Sequence, residues 1–173
     1  MKIKDNVHNF VSITDNKELW DEVLNASERN AVLIVGAAFD TQLEKLLKKR
    51  LIQESSVTNK IAEFSSFSSK INLCFCLGIL SEDERHDLNL LRDIRNAFSH
   101  NIFDCDFNNV QVSEAISNLI IPRKAKAIPE AESIKQFFNI GVVILDGFLK
   151  ERLESVLPIK RLANINFKNK NKN

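Results

Sequence analysis

Glycine and proline are scarce in this chain of 173 residues, which contains four and three of them, and tyrosine is absent. A β fold with many tight turns draws on glycine and proline at those turns. The runs between the few glycines are instead rich in Leu, Ile, Ala, Lys and Glu, and most of these residues favour helices. The composition therefore predicts an all-α fold.

Long apolar runs are also missing. The most apolar stretches, residues 31–39 and 140–145, fall short of the roughly 18 residues that a membrane span needs. The amino terminus lacks the apolar core of a signal peptide. Three cysteines, Cys74, Cys76 and Cys105, give an odd count that does not suggest a disulfide framework. We therefore expect reduced cysteines, a cytoplasmic location and no membrane partner.

Charge is nearly balanced over the chain, at +1, but it is unevenly distributed. Residues 159–173 carry five Lys or Arg and no acidic residue, which leaves the remainder at −4. We expect residues 1–158 to form a single all-α domain and residues 159–173 to be a disordered basic tail rich in Lys and Asn. A tail of this kind can attract nucleic acid. The small net charge and the lack of a helix-turn-helix signature nevertheless argue against sequence-specific DNA binding.

Helix signals predict a bundle of four main helices with short extra helices. Ser27 can cap a helix, with Asp15 or Asn16 capping the one before it, and Gly78 can end a helix. Ser81 and Glu84 have the spacing of a capping box. The predicted helices cover residues 17–26, 28–52, 70–78, 82–100, 112–121 and 130–157.

Two irregular segments are predicted between these helices. Residues 53–69 are rich in Ser and Thr and are expected to form a loop, in which Phe64 and Phe67 anchor the chain to the core. Pro122 is expected to stop the helix that precedes it, because proline lacks the backbone N–H that a helix interior uses.

A polar strip occurs in the sequence "RDIRNAFSH" near the end of the predicted helix 82–100. At 100° per residue, five polar side chains lie on one arc of about 140°, beside a core stripe. An Arg fork binds phosphate oxygens, and a His exchanges protons near neutral pH. These groups suit metal-free RNA cleavage, although an ordinary solvated helix face with a capping His would look similar. The strip consists of Arg92, Arg95, Asn96, Ser99 and His100.

Part of this strip, "RNAFSH", resembles the R-N-x-x-x-H signature of the HEPN superfamily. Members are small helical bundles, and many are metal-independent endoribonucleases that form homodimers with two motifs facing one cleft. The resemblance implies that Arg95, Asn96 and His100 are catalytic residues. From their positions on the strip, Arg92 and Ser99 are weaker candidates for binding RNA phosphate. No cofactor is implied.

A wider resemblance covers residues 27–100 and, more weakly, the last helix. "SFSSKI", "LGILS" and "RDIRNAFSH" together are similar to the mannitol-operon-repressor (MltR-type) family of small all-α bacterial proteins. Its members are named as negative regulators of mannitol uptake genes. The chain departs from that pattern in the "AFSH" that follows Arg95 and Asn96, where an acidic residue is frequent, and in its Lys/Asn tail.

Two functions therefore stand as hypotheses. One is a metal-independent endoribonuclease that cleaves single-stranded RNA by attack of the ribose 2′-OH. The alternative is a non-catalytic negative transcriptional regulator that acts through contacts with a protein partner, with the strip at a dimer interface or binding an acidic ligand. The homodimer is expected in either case.

Other chemistry is not expected. Asp83, His86 and Asp87 lie at an ordinary charged helix start, where the adjacent His86 and Asp87 diverge, so no metal site is predicted. Lys70 lies close to the serines of "FSSFSSK", but the other parts of a Ser-Lys hydrolase are missing.

Overall fold

The computed structural model describes residues 17–52, 54–64, 66–100, 105–125 and 133–163. These residues form eight helices and no strand, which confirms the predicted all-α class. Within the same ranges, no helix combines the length and the apolar character that crossing a bilayer requires. The helices are α1 (Lys17–Asn25), α2 (Glu28–Arg50), α3 (Ser55–Phe64), α4 (Phe67–Cys76), α5 (Glu82–His100), α6 (Val110–Ser117), α7 (Ile120–Lys124) and α8 (Ile134–Ser155).

Helix α2 is the centre of the bundle and packs against α1, α3, α4, α5 and α8. Its sequence is consistent with this position, because the buried residues recur every three or four positions along one broad face: Ala31, Val32, Val35, Gly36, Phe39, Leu43, Leu46 and Leu47. Helices α5 and α8 contribute further apolar side chains to the same core. The fully buried large residues include Phe39, Leu43, Leu46, Leu88, Ile94, Phe98 and Phe138.

One buried carboxylate joins three helices. The indole N–H of Trp20 in α1 donates to Asp146 Oδ2 in α8 at 2.9 Å. Gln42 in α2 donates to the other oxygen of Asp146, and Lys150 forms an ion pair with it at 2.8 Å. Asp146 is only 1% exposed, so these partners stabilise a charge that burial alone would disfavour.

Three predicted helix ends are confirmed. Ser27 accepts a hydrogen bond from the backbone N–H of Asn30 at 3.3 Å. Ser81 and Glu84 form the complete capping box, in which the Ser81 N–H donates to Glu84 Oε2 at 2.6 Å and the Glu84 N–H donates to Ser81 Oγ at 3.3 Å. Gly78 adopts a φ of 66°, a left-handed conformation that glycine reaches without steric cost. The candidate caps Asp15 and Asn16 lie outside the described residues.

The predicted loop over residues 53–69 is wrong, because it contains α3 and the start of α4. Serine and threonine favour helix caps as well as loops, and both uses occur here. Ser66 caps α4 by accepting from the Ser69 N–H at 3.1 Å. The buried Thr58 hydroxyl donates to the carbonyl of Ile52 at 2.5 Å and so holds the turn into α3. Phe67 is buried, as predicted.

The predicted stop before Pro122 is also wrong, because Pro122 lies inside α7. It is the third residue of that helix, where a backbone N–H has no acceptor within the helix and its absence costs little. The real break falls after Ser117, where α6 ends.

The last helix, α8, begins at Ile134 and is capped by Ser133, whose side chain accepts from the Gln136 N–H. The predicted helical residues 130–132 lie outside the described part of the chain. After α8, the Ile159 N–H donates to the carbonyl of Arg50 at 2.8 Å. Residues 164–173 lie outside the described ranges, so the expected domain and tail boundaries stay predictions.

Candidate functional site

Helix α5 carries the polar strip, and its sequence explains why it is a helix. The capping box and three acidic residues in the first turn stabilise its N-terminus. Leu88, Leu91, Ile94 and Phe98 are buried at helical spacing. The strip therefore runs beside the core stripe, as the sequence predicts.

Arg95 lies in a narrow slot between α2 and α4. Its side chain crosses α2 at Gly36, where a Cβ atom would stand 2.5 Å from Arg95 Cδ. Its guanidinium lies 6.0 Å from the centre of the Phe67 ring. Within the described residues this guanidinium forms no hydrogen bond and no ion pair, so packing alone holds it. A cation held in this way can accept an anionic ligand without first losing a protein partner.

Arg92 is held differently. Its guanidinium donates to Asn89 Oδ1 at 2.7 Å, to Ser68 Oγ at 2.9 Å and to Asp93 Oδ1 at 2.8 Å. These contacts neutralise its charge and fix it against the start of α4. Arg92 is therefore less available to an added anion than Arg95.

The other three strip residues, Asn96, Ser99 and His100, are exposed on α5. The Ser99 hydroxyl donates to the carbonyl of Arg95 at 2.8 Å, so its proton is engaged within the helix. His100 is the last residue of α5, and residues 101–104 after it lie outside the described ranges. The strip thus presents a packed cation, an exposed amide and an exposed imidazole on one helix.

Arg29 was not singled out by the sequence, yet it fixes the end of α5. Its guanidinium donates to the carbonyl of Phe98 and lies 5.6 Å from the centre of that ring. Its neighbour Glu28 accepts from the Phe107 N–H at 2.7 Å, just beyond α5. The start of α2 therefore positions the turn of α5 that carries Ser99 and His100. The sequence could not reveal this role, because it depends on the contact between the start of α2 and the end of α5 in the folded protein.

The Asp83, His86 and Asp87 group has a structural role. Asp87 is 2% exposed, and its two oxygens accept from the backbone N–H groups of Ile120 and Ile121 at 2.8 and 2.9 Å. It thereby caps α7 from another helix. Burial raises the pKa of Asp87, while the two backbone hydrogen bonds oppose that rise. No cluster of metal-ligating side chains occurs within the described residues.

Lys70 is part of a buried ion-pair network. Its ammonium lies 3.2 Å from Asp40 Oδ1 and 3.1 Å from Glu44 Oε2, and its side chain is only 3% exposed. Hydrogen bonds from Lys48 first, and also from Lys70, hold the pKa of Glu44 below its ordinary value. Lys70 thus ties α4 to α2.

A cleft in the described part of the chain lies away from the strip. One cleft of about 430 Å³ is lined by residues such as Phe107, Ser113 and Ile134, none of which belongs to the strip. Asn96, Ser99 and His100 are exposed, and an exposed helix face suits a polymer or a second protein surface better than an enclosed small molecule.

Comparisons of the chain with protein-family models, with curated proteins and with solved structures gave no match.

Proposed function

We propose that the protein is a metal-independent endoribonuclease that cleaves single-stranded RNA, with a HEPN-type site at Arg95, Asn96 and His100. The observation that carries this proposal is the Arg95 guanidinium, which packs over Gly36 and Phe67 without an acidic partner in the described chain. Asn96 and His100 are exposed on the same helix. A guanidinium without an acidic partner and an exposed imidazole on one helix would supply charge stabilisation and proton transfer, respectively.

The reaction follows from these groups. Arg95 binds the non-bridging phosphate oxygens and stabilises the additional charge of the pentacoordinate state. His100 accepts the proton of the ribose 2′-OH, and Asn96 orients the imidazole. The 2′ oxygen forms a bond to phosphorus as the bond from phosphorus to the 5′ oxygen breaks, and the departing 5′ oxygen takes up a proton from water. The products carry 2′,3′-cyclic phosphate and 5′-hydroxyl ends.

The biological setting belongs to the same proposal. A homodimer would bring two strips to one cleft, as the HEPN resemblance implies. The wider resemblance to mannitol-operon repressors suggests a bacterial, cytoplasmic protein with a regulatory role. Cleavage of a transcript would itself give a negative regulatory effect.

The decisive experiment incubates purified protein with a mixed pool of single-stranded RNA in EDTA and analyses the ends of the products. We expect cleavage with 2′,3′-cyclic phosphate ends. His100→Ala should lower the rate by about 10²–10⁴. Arg95→Ala should cost a comparable factor, and Arg95→Lys should restore little because a point charge does not reproduce the planar fork.

Arg123→Ala is the matched control, since Arg123 is exposed on α7 and does not belong to the strip. It should cleave at the wild-type rate. Uncut RNA, or a His100→Ala variant as fast as the wild type, would reject the enzyme and favour the non-catalytic regulator that binds a protein partner.

A further inference from the structure

The C-terminal segment (residues 156–163) lies against the end of α2. The Arg50 guanidinium donates to the carbonyl of Leu157 at 2.9 Å, and the Ile159 N–H donates back to the carbonyl of Arg50 at 2.8 Å. Arg161 then forms an ion pair with Glu54 at 2.7 Å. These bonds fix the cations of the segment beside those of α2.

Positive charge is concentrated here. The described residues of 44–54 and 150–163 contain eight Lys or Arg and four Glu, a net of +4, whereas the whole chain has only +1. The described cations that α2 and the C-terminal segment contribute are called the basic surface: Lys45, Lys48, Lys49, Arg50, Lys160 and Arg161.

Helix capping accounts for only part of this charge. Cations stabilise the C-terminal end of a helix, and Lys49 donates to the carbonyl of Leu153 in the last turn of α8 at 2.6 Å. Lys45 lies more than one turn before the end of α2, and Lys160 lies beyond both helices. Both are exposed, and neither forms an ion pair with a described residue. Their charge is therefore available to a ligand.

The conformation of the C-terminal segment favours a nucleic acid over a membrane surface as the anionic partner. Residues 156–163 have no regular secondary structure, so they do not form the one-sided amphipathic helix that binds a membrane surface. Exposed cations on a folded surface without such a helix suit the phosphates of a nucleic acid, which bind with release of counterions. We propose that the basic surface binds the phosphate backbone of single-stranded RNA, the substrate class of the proposed function on which this inference rests.

The test measures binding without cleavage. A fluorescent 2′-O-methyl RNA 20-mer has no attacking hydroxyl, so its fluorescence anisotropy with full-length protein reports affinity alone over a range of salt concentrations. Lys45→Ala/Lys160→Ala should weaken binding and reduce the slope of log affinity against log salt by about 1.4, since each single-strand phosphate contact contributes about 0.7. Lys135→Ala should leave the slope unchanged, because Lys135 lies near the other end of the bundle, where it donates to the carbonyl of Ala26.

A second full-length variant separates this surface from the tail. Lys168→Ala/Lys170→Ala/Lys172→Ala removes three tail cations, and the inference is wrong if only this variant lowers the affinity. It is also wrong if vesicles containing phosphatidylglycerol, or polyglutamate, bind as tightly as the RNA. Salt-dependent RNA binding without cleavage by the wild type would keep the inference and reject the enzyme. Cleavage by the wild type, together with unchanged RNA binding by Lys45→Ala/Lys160→Ala, would keep the enzyme and reject the inference.

Discussion

The side chain of Arg95 occupies space beside Gly36 that any larger residue at position 36 would need. The Cβ of an alanine there would meet Arg95 Cδ at 2.5 Å and Arg95 Cγ at 3.2 Å. These atoms lie in the middle of the side chain, so the whole side chain would have to leave the slot. Gly36 therefore acts on Arg95 without taking part in any chemistry itself.

Gly36→Ala should lower RNA cleavage by up to about 10², because a catalytic group displaced by about 1 Å can cost that factor. The fold should persist, since alanine is the better helix former by about 1 kcal/mol. The double variant Gly36→Ala/Arg95→Ala should cleave RNA only slightly more slowly than Arg95→Ala alone. Gly147→Ala is the control, because nothing lies within 4 Å of a Cβ at that helical position. Equal cleavage by both glycine variants would contradict the role assigned to the slot.

Asp87→Ala should lower the free energy of unfolding by about 1–3 kcal/mol, because two backbone N–H groups at the start of α7 would lose their acceptor. Urea denaturation measures this change. Asp93→Ala, at an exposed ion pair with Arg92, should cost less than about 1 kcal/mol. A similar loss in both variants would argue against the capping role.

The same residue gives a pH dependence. Burial places the pKa of Asp87 above its ordinary value of 3.8, so the folded state binds this proton more tightly than the unfolded state. The resulting stability is fully present below the unfolded pKa and is lost as pH rises through the folded pKa. The stability of the wild type relative to Asp87→Asn should therefore decrease between acidic and neutral pH. Denaturation of both proteins across that range tests the sign.

Lys70→Met should destabilise the fold by about 1–3 kcal/mol, because Asp40 and Glu44 would lose the cation that compensates them. The pKa of Glu44 should rise towards its ordinary value of 4.5, which carboxyl NMR titration can follow. Since the wild-type pKa is depressed, the charge of Glu44 contributes stability above the unfolded pKa that is lost as pH falls through the folded pKa. Lys48→Met removes a more exposed ion pair and should lower the free energy of unfolding less than Lys70→Met does. A larger loss in Lys48→Met would contradict the stabilising role assigned to Lys70.

Cysteine alkylation should be selective. Burial raises the pKa of the Cys74 thiol to about 12, and burial also raises the pKa of Cys105, whereas Cys76 is exposed. Iodoacetamide at pH 8 should modify Cys76 first and Cys74 only after unfolding, because the thiolate is the reactive form. Peptide mass spectrometry locates the label. Rapid labelling of Cys74 in the native protein would contradict its burial.

Local signals in the sequence predicted those helix ends that are stabilised by residues adjacent to them in the chain. The capping box at Ser81 and Glu84 and the positive φ of Gly78 are of this kind, because neighbours in the chain form them. The polar strip was also predictable, since a regular helix fixes which residues share a face. The local sequence does not reveal, however, how far a cation of the strip is engaged by other helices.

Features that depend on another part of the chain could not be predicted. Asp87 caps a helix 33 residues away, and Gly36 makes room for a residue on a different helix. The serines and threonines around α3 were consistent with a loop or with caps, and tertiary contacts decided between them. Pro122 looked like a stop because its position within the first turn of α7 depends on where that short helix begins.

The hydrogen bond between Trp20 and Asp146 provides the protein with a spectroscopic probe. Trp20 is the single tryptophan and tyrosine is absent, so intrinsic fluorescence excited at long wavelength comes from one indole. That indole is fully buried where α1, α2 and α8 meet. A red shift of its emission would therefore report the departure of α1 from the bundle, and a stopped-flow trace of refolding would time the docking of that one helix.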